Sequence, residues 1–458
     1  MQIVPSNFIL VLTSELFFNM RIAYNKLRRL NFWAFLVAHL IFIGGCASYS
    51  EKTVEMRSAY DRGEWDGALK ALKESGSMES RTDRLLWRLE AATIYDRMGE
   101  TSKTKKLFLE ADSIADELFT TSIANTATSF VISDSSTDYE GEDYEKVAIH
   151  TMLAHHYIGQ GKLDEARISA RKIGTKLTEI NQKYDDSHKN KYSDDAHGRY
   201  LSGIVYEAKQ EWDNAIVEYW KAISLYEGEF KQFVQGSMVP RSLVKATYAL
   251  LAFRKRDDRV KILKDKYSEI LKESPEDAAK SVLSKGEIIT LHEIGRVTPK
   301  TKFEYLIPFG RQVVRFSFPK LDVKYFSPGQ TGMQIEGKSF VESENTAYMD
   351  KIAQETLDNR RTRMVAKSMT RLLVKGQIAD QAHQKFGPLG GLLANAATAA
   401  TETADTRSWT LLPKGLYVSR VQLSPGEYKI AVKTNGKISQ MKTIKVEAGK
   451  IDLLRGWD

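Results

Sequence analysis

The chain has 458 residues, of which 42% are hydrophobic and 28% charged, so it can build packed cores and is not wholly disordered. A single cysteine excludes a disulfide framework and any cysteine-built zinc or iron–sulfur site, and 10 prolines with 29 glycines exclude collagen-like architecture. A formal net charge of +8 raises nucleic acid as a partner class, which the N-terminal address then argues against.

That address begins with a basic cluster, Arg21, Lys26, Arg28 and Arg29. Leu30 to Ile43 follows as an apolar run broken only by Asn31 and His39, too short to span a bilayer with ease and the right length for a signal-peptide core. It closes on Ile43-Gly44-Gly45-Cys46, then Ala47-Ser48-Tyr49-Ser50. This resembles a bacterial lipobox, which implies cleavage before Cys46, acylation of Cys46 and anchoring by its acyl chains. Residues 1–45 are then a signal peptide, with Met20 the better start because residues 1–19 fit no part of one. Position 47 is Ala rather than Asp, which by the sorting rule of such lipoproteins implies the outer membrane. The mature chain is uneven in charge: residues 46–285 hold 37 basic and 41 acidic residues, whereas 286–458 hold 26 and 17, a net of +9.

Residues 50–285 carry a loose repeat on a helical period. It reads Gly63-Glu64-Trp65-Asp66-Gly67-Ala68, Gly161-Lys162-Leu163-Asp164-Glu165-Ala166 and Gln210-Glu211-Trp212-Asp213-Asn214-Ala215, with a degenerate copy at Tyr95 to Gly99. Each has an aromatic upstream: Tyr60, Tyr95, Tyr157 and Tyr206. The pattern resembles the tetratricopeptide repeat (TPR), in which Gly ends one helix and a small Ala lets two helices cross closely. Insertions fall around 120–142 and 180–195, and the polar stretches Ser133–Tyr144 and Tyr184–Asp195 read as surface loops. Such a solenoid offers a concave face to a protein partner. Trp65, Trp87, Tyr157, Trp212, Tyr219 and Trp220 either line that groove or, by the commoner rule, fill the inter-helix core.

At Gly286 the hydrophobic period changes from 3.6 to 2. Strands are expected at 287–291, 302–307 and 313–318, and again at 416–423, 427–432 and 438–446, with Asn435-Gly436 as a hairpin turn. Both flanks together make a small β-sandwich. Between them lies a helical insertion at about 343–405. Its first helix sets Arg363, Lys367, Arg371 and Lys375 one turn apart, reinforced by Arg360 and Arg361. This stripe is either a solvated face or a contact for anionic lipid or glycan.

The lipobox, the repeats and Ile149–Ala170 together resemble a family of bacterial envelope lipoproteins with TPR-like repeats. So do Phe386-Gly387-Pro388-Leu389-Gly390-Gly391-Leu392-Leu393, Ala404-Asp405-Thr406-Arg407-Ser408-Trp409 and Val421–Gly426. The resemblance implies an envelope location and carries over no catalytic residue. Asp405, Arg407 and Trp409 form its most specific motif, with a pairing, capping or binding role open. His150, His155 and His156 are spaced by five and six, which does not gather metal ligands on one helical face. No nucleotide loop, nucleophile elbow or zinc-protease motif is present in the sequence.

The reading is therefore an α+β multidomain chain: signal peptide 1–45, TPR-like solenoid 46–285, and β-sandwich 286–458 with its insertion. The expected function is a non-catalytic protein-binding scaffold, anchored to the outer membrane on the periplasmic side. It needs no cofactor or metal, binds no nucleic acid, and holds its protein partner in the helical groove. Alternatives are an accessory factor that binds cell-wall or surface polymer through the basic C-terminal half, and a hydrolase of envelope polymers.

Overall fold

Left-handed backbone at the end of a helix reverses the chain, and this molecule repeats that device five times. In the computed structural model, Gly63, Gly99 and Gly161 have φ near +70°, and Gln210 and Lys255 take the same conformation at φ 60° and 55°. Each turn joins two antiparallel helices: α1 Val54–Asp61 to α2 Trp65–Glu74, and α3 Arg84–Arg97 to α4 Thr101–Ala124. Likewise α5 Asp143–Gly159 joins α6 Leu163–Gln182, α7 Ala196–Ala208 joins α8 Trp212–Glu227, and α9 Arg241–Phe253 joins α10 Asp257–Lys266. The last helix of this stack, α11 Pro275–Ser284, packs on α9. Ala68, Ala166 and Ala215 are fully buried at the crossings, as the repeat requires. The structure describes residues 48–458 except 79, 125–136, 183–191, 310–311, 325, 362–363, 365–380, 382–383 and 386–403.

The two helices of a pair differ in burial. On α6 only Ala166, Ser169, Ala170, Ile173, Leu177 and Ile180 are buried, a one-sided stripe. On α5 every residue from Asp143 to Ile158 is buried, and on α7 nearly every one. The helices α5 and α7 are covered twice, by their partners on one side and by strands on the other.

Those strands begin directly after α11. β1 Gly286–Ile294 pairs antiparallel with β7 Gly415–Leu423 and parallel with the C-terminal β11 Ile451–Trp457, and β6 Glu344–Tyr348 adds to β7. The sheet order is β11-β1-β7-β6. A second sheet, β10-β8-β4-β5, is built from β4 Gly332–Ile335, β5 Val341–Glu342, β8 Gly426–Thr434 and β10 Lys442–Val446, with β9 Lys437–Ile438 on β8. Ile288, Met333, Ile335, Leu423, Ile430 and Val446 form the core between the sheets. Asn435 and Gly436, at φ 50° and 85°, make the tight turn that their sequence announces.

Several expectations change. β2 Thr301–Phe309 and β3 Gln312–Lys320 pair only with each other and belong to neither sandwich sheet. The insertion starts later than residue 343, because 344–348 is a strand and helix α12 runs over 349–361. The helical and strand-rich parts change at residue 285, yet Tyr49–Asp458 is one compact unit. The inner ends of the two polar loops are buried: Tyr139, Glu142 and Tyr144 in the first, Tyr192 and Asp195 in the second. Their acids are placed as caps, Asp195 accepting from the Gly198 N–H and Glu142 and Glu145 forming a reciprocal capping box on α5.

Candidate functional site

The chain's own first sheet covers the helices α3, α5 and α7, joined to them by a shared apolar core and by buried charged groups. Glu293 on β1 receives Arg97 from α3 at 2.6 Å, Arg455 from β11 at 2.7 and 2.9 Å, and His155 Nδ1 from α5 at 2.8 Å. Arg455 also reaches Asp96 at 2.6 Å, and Asp96 holds His156 Nδ1 at 2.6 Å. Both guanidinium groups lie over the Trp457 ring. His155 Nε2 sits 3.2 Å from His197 Nε2, and His197 Nδ1 2.9 Å from Thr346 Oγ1, whose hydroxyl donates to the Leu416 carbonyl. Assigned from these partners, donation runs from His155 through His197 and Thr346 to β7. Burial, then the neighbouring His155, hold His197 well below the ordinary imidazole range. Burial would raise Glu293, but Arg455, Arg97 and His155 outweigh it and hold the carboxyl well below its usual range.

A second group ties β7 to the later helices. Arg420 donates to Glu287 at 2.6 and 2.9 Å, to Glu207 on α7 at 2.7 Å and to the Tyr219 hydroxyl at 3.0 Å. Glu344 on β6 accepts the first N–H groups of α9, from Arg241 and Ser242, and so caps that helix from the sheet.

The Asp405–Trp409 motif lies in an extended strap across α3 and α5. Glu90 accepts the backbone N–H groups of Thr410 and Leu411 and the Thr410 hydroxyl, at 2.7 to 3.0 Å. Glu145 accepts the Trp409 N–H at 2.7 Å, and the fully buried Trp409 indole donates to Thr93 at 3.0 Å. Arg407 forks onto Asp405, reaches Asp83 and lies over the Tyr139 ring. Burial pushes Glu90 up to about 7, against the three hydrogen bonds that favour its carboxylate. The trio is thus spent inside the molecule, holding the strap to the solenoid.

An open cleft of about 570 Å³ lies between α6 and α8, floored by α7. Its lining is polar, with Arg167, Arg171, Arg199, Asn214, Glu218 and Lys221 the main groups. Arg199 crosses it, bound to Asp194 at 2.9 Å and Glu218 at 3.0 Å, while Arg167 pairs with Glu211 at 3.0 Å. Gly174 leaves room for the Arg199 guanidinium, which a Cβ there would approach to 3.3 Å.

Of the other sequence candidates, Ile43, Gly44, Gly45 and Cys46 lie outside the described residues, as do Arg363, Lys367, Arg371 and Lys375. Arg360 pairs with Glu142, which also holds Lys300, and Arg361 stacks on Phe318 at 5.1 Å. Both therefore make contacts within the fold. The groove aromatics prove to be packing: Tyr219 and Tyr157 are buried, and Trp65, Trp87, Trp212 and Trp220 lie against the core. On α3, α5 and α7 the face expected to meet a partner makes contacts with the chain's own sheet. Among the described residues no group of three or more His, Asp or Glu is placed to hold a metal ion, and no helix is long and apolar enough to cross a membrane. Sequence reading missed the Glu293–Arg455–His155 junction, whose one visible signal was charged residues at positions where the apolar period of α5 and β1 demands core.

No family model and no curated protein matches the chain. Among solved structures it is similar to a Podosopora anserina kinesin light chain protein with nearly identical TPR-like repeats, at 13% identity over 47% of this chain and 90% of that one, TM-score 0.29. It is also similar to BtubC from P. vanneervenii, at 17% identity over 53% of this chain and 84% of that one, TM-score 0.32. A third likeness is to MamA, at 16% identity over 50% of this chain and 92% of that one, TM-score 0.28. The stacked helix pairs are seen directly in the packing described above.

Proposed function

We propose that this chain is a non-catalytic binding scaffold of the bacterial envelope, acylated at Cys46 and held at the outer membrane on its periplasmic side. One observation carries the scaffold reading. The inner face of the solenoid is locked by the chain's own sheet through buried ion pairs, so the repeats act as a rigid frame and not as an open groove. A protein partner then meets the outer surface, where the α6–α8 cleft offers a polar recess with two bridged arginines and the exposed Arg171.

The anchor and the partner site are tested separately. Mass spectrometry of the mature N-terminus should find a lipid-modified Cys46; an unmodified cysteine, or cleavage elsewhere, removes the anchor. A photo-crosslinking residue at Asn214 should give one discrete protein adduct in cells, lost in Arg171→Glu. Adducts that form equally from Ile262, exposed on α10, would overturn the cleft as the partner site.

A further inference from the structure

The β8–β10 hairpin presents surface that the scaffold reading leaves unused. After the Asn435-Gly436 turn, β9 holds only Lys437 and Ile438 before the strand bulges at 439–441 and resumes as β10 at Lys442. Ser439 pins the start of that bulge twice to Val432: its N–H donates to the Val432 carbonyl at 2.8 Å and its hydroxyl accepts from the Val432 N–H at 3.0 Å. The bulge carries Met441 out to 44% exposure, and Ile438 is 58% exposed. Lys437 and Lys442 flank this pair, both exposed and without an ion pair among the described residues. Lys433 lies across the ladder from Ile438. Asp458, beside the turn, is held by Asn435 at 2.6 Å and by the Gly295 N–H at 2.9 Å.

Two aliphatic side chains set among three lysines, at the end of a pinned hairpin, have the composition of a membrane-interface contact. Lysine stems lie along apolar surface while their ammonium groups reach the headgroup layer. Lysine is depleted at protein–protein interfaces, so the pattern disfavours a protein occupant. Lysines on a free edge strand also deter pairing with other chains, but that role does not call for Ile438 and Met441 to be exposed beside them. The sign fits the region as well, since residues 286–458 carry a net +9.

We infer that the 433–442 hairpin tip is a docking surface for an anionic phospholipid bilayer, with Ile438 and Met441 entering the interface and Lys433, Lys437 and Lys442 meeting the headgroups. This rests on the envelope location proposed above. It gives the anchored scaffold a second, reversible contact that fixes which face it turns to the membrane.

The test uses the full chain purified from membranes and reconstituted in vesicles. Gln440→Cys adds a second thiol for an environment-sensitive dye, Cys46 being blocked when acylated. In vesicles containing phosphatidylglycerol the dye should shift to the blue and be quenched by lipid-borne quenchers, whereas in phosphatidylcholine alone it should stay in water. Lys437→Gln and Lys442→Gln should each lower the engaged-to-free ratio about fivefold, the effect of one cation near an anionic surface, and 0.5 M salt should act likewise. Ile438→Ser with Met441→Ser should release the dye with the fold intact by circular dichroism. A dye equally exposed in both lipids, in protein that floats with the vesicles, overturns the tip contact and leaves the anchor standing. Protein that fails to float overturns the anchor instead. Flotation on added vesicles then decides the tip alone: lysine-dependent binding to phosphatidylglycerol supports it, and none rejects it.

Discussion

Glu293 has no exposed side-chain surface, and three cationic or proton-donating groups converge on its carboxylate. Removing that charge leaves Arg97 and Arg455 buried with Asp96 as their shared acid. Breaking one partner of a buried pair costs about 3–5 kcal/mol because the other charge stays in low dielectric. Glu293→Gln should lower stability by roughly that amount, read as a fall in the urea midpoint at unchanged slope. Titration at other buried groups predicts acid lability. Burial pushes His150 down to about 4 and His292 to about 3, while Arg360 and Lys300 overcome burial to hold Glu142 at about 2. A histidine kept neutral in the fold contributes fully above its unfolded value near 6.5 and loses that contribution as pH falls through 6.5 toward its folded value. Glu142 contributes above about 4.5 and loses its share on the way down to 2. Glu90, raised to about 7, acts oppositely, its penalty growing between 4.5 and 7. Thermal midpoints should therefore fall from pH 6.5 to 4, led by the histidines. His150→Phe, which removes one buried proton-binding group whose Nε2 lies 3.3 Å from an Asp112 carboxylate oxygen, should flatten that decline by roughly 3 kcal/mol at most. An unchanged acid limb would show that His150 takes no part.

At the scale of elements, the repeat was legible because its signals are local. Gly63, Gly99 and Gly161 mark left-handed turns, Ala68, Ala166 and Ala215 mark close crossings, and the change of period marks residue 285. The helices α9 and α10 were legible as helices but not as a repeat pair, because Lys255 occupies the turn where a glycine would flag it. β11 escaped because its pairing with β1 is parallel and spans more than 150 residues, which no local pattern encodes. The isolation of the β2–β3 ribbon was illegible for the same reason, since alternation identifies strands and not their neighbours. The junction site was hidden more deeply: its members come from α3, α5, α7, β1, β6 and β11, each unremarkable alone. Gln210 offers a direct check on the turns. A left-handed non-glycine residue costs about 1–2 kcal/mol, against about 0.5–1 for the freedom glycine loses on folding. Its side chain makes one exposed bond, to the Gly449 carbonyl at 3.2 Å. Gln210→Gly should therefore stabilise the protein by about 0.5–1 kcal/mol in urea unfolding. The reverse change at Gly161 should destabilise it by a similar amount.

Considered whole, the molecule is a solenoid that has bound its own sheet. A repeat domain alone would leave Glu90, Asp96, Arg97, Glu145, His155 and Glu207 facing outward without the amides and guanidinium groups that now satisfy them. A sandwich alone would strip cover from Ile289, Leu291, Leu416 and Val418, which belong to the helical core and not to the core between the sheets. Each half therefore completes the other, and independent folding of the two is not expected. Residues 49–285 produced alone should show reduced helicity and a broad thermal transition, and residues 286–458 alone should aggregate or bind apolar dyes. Produced together as separate chains, they should co-elute as a 1:1 complex with one cooperative transition. Arg455→Glu should abolish that complex, since it sets a third carboxylate against Asp96 and Glu293. Two halves that each unfold cooperatively and do not associate would refute the interlocked architecture, and with it the assignment of the inner face as already filled.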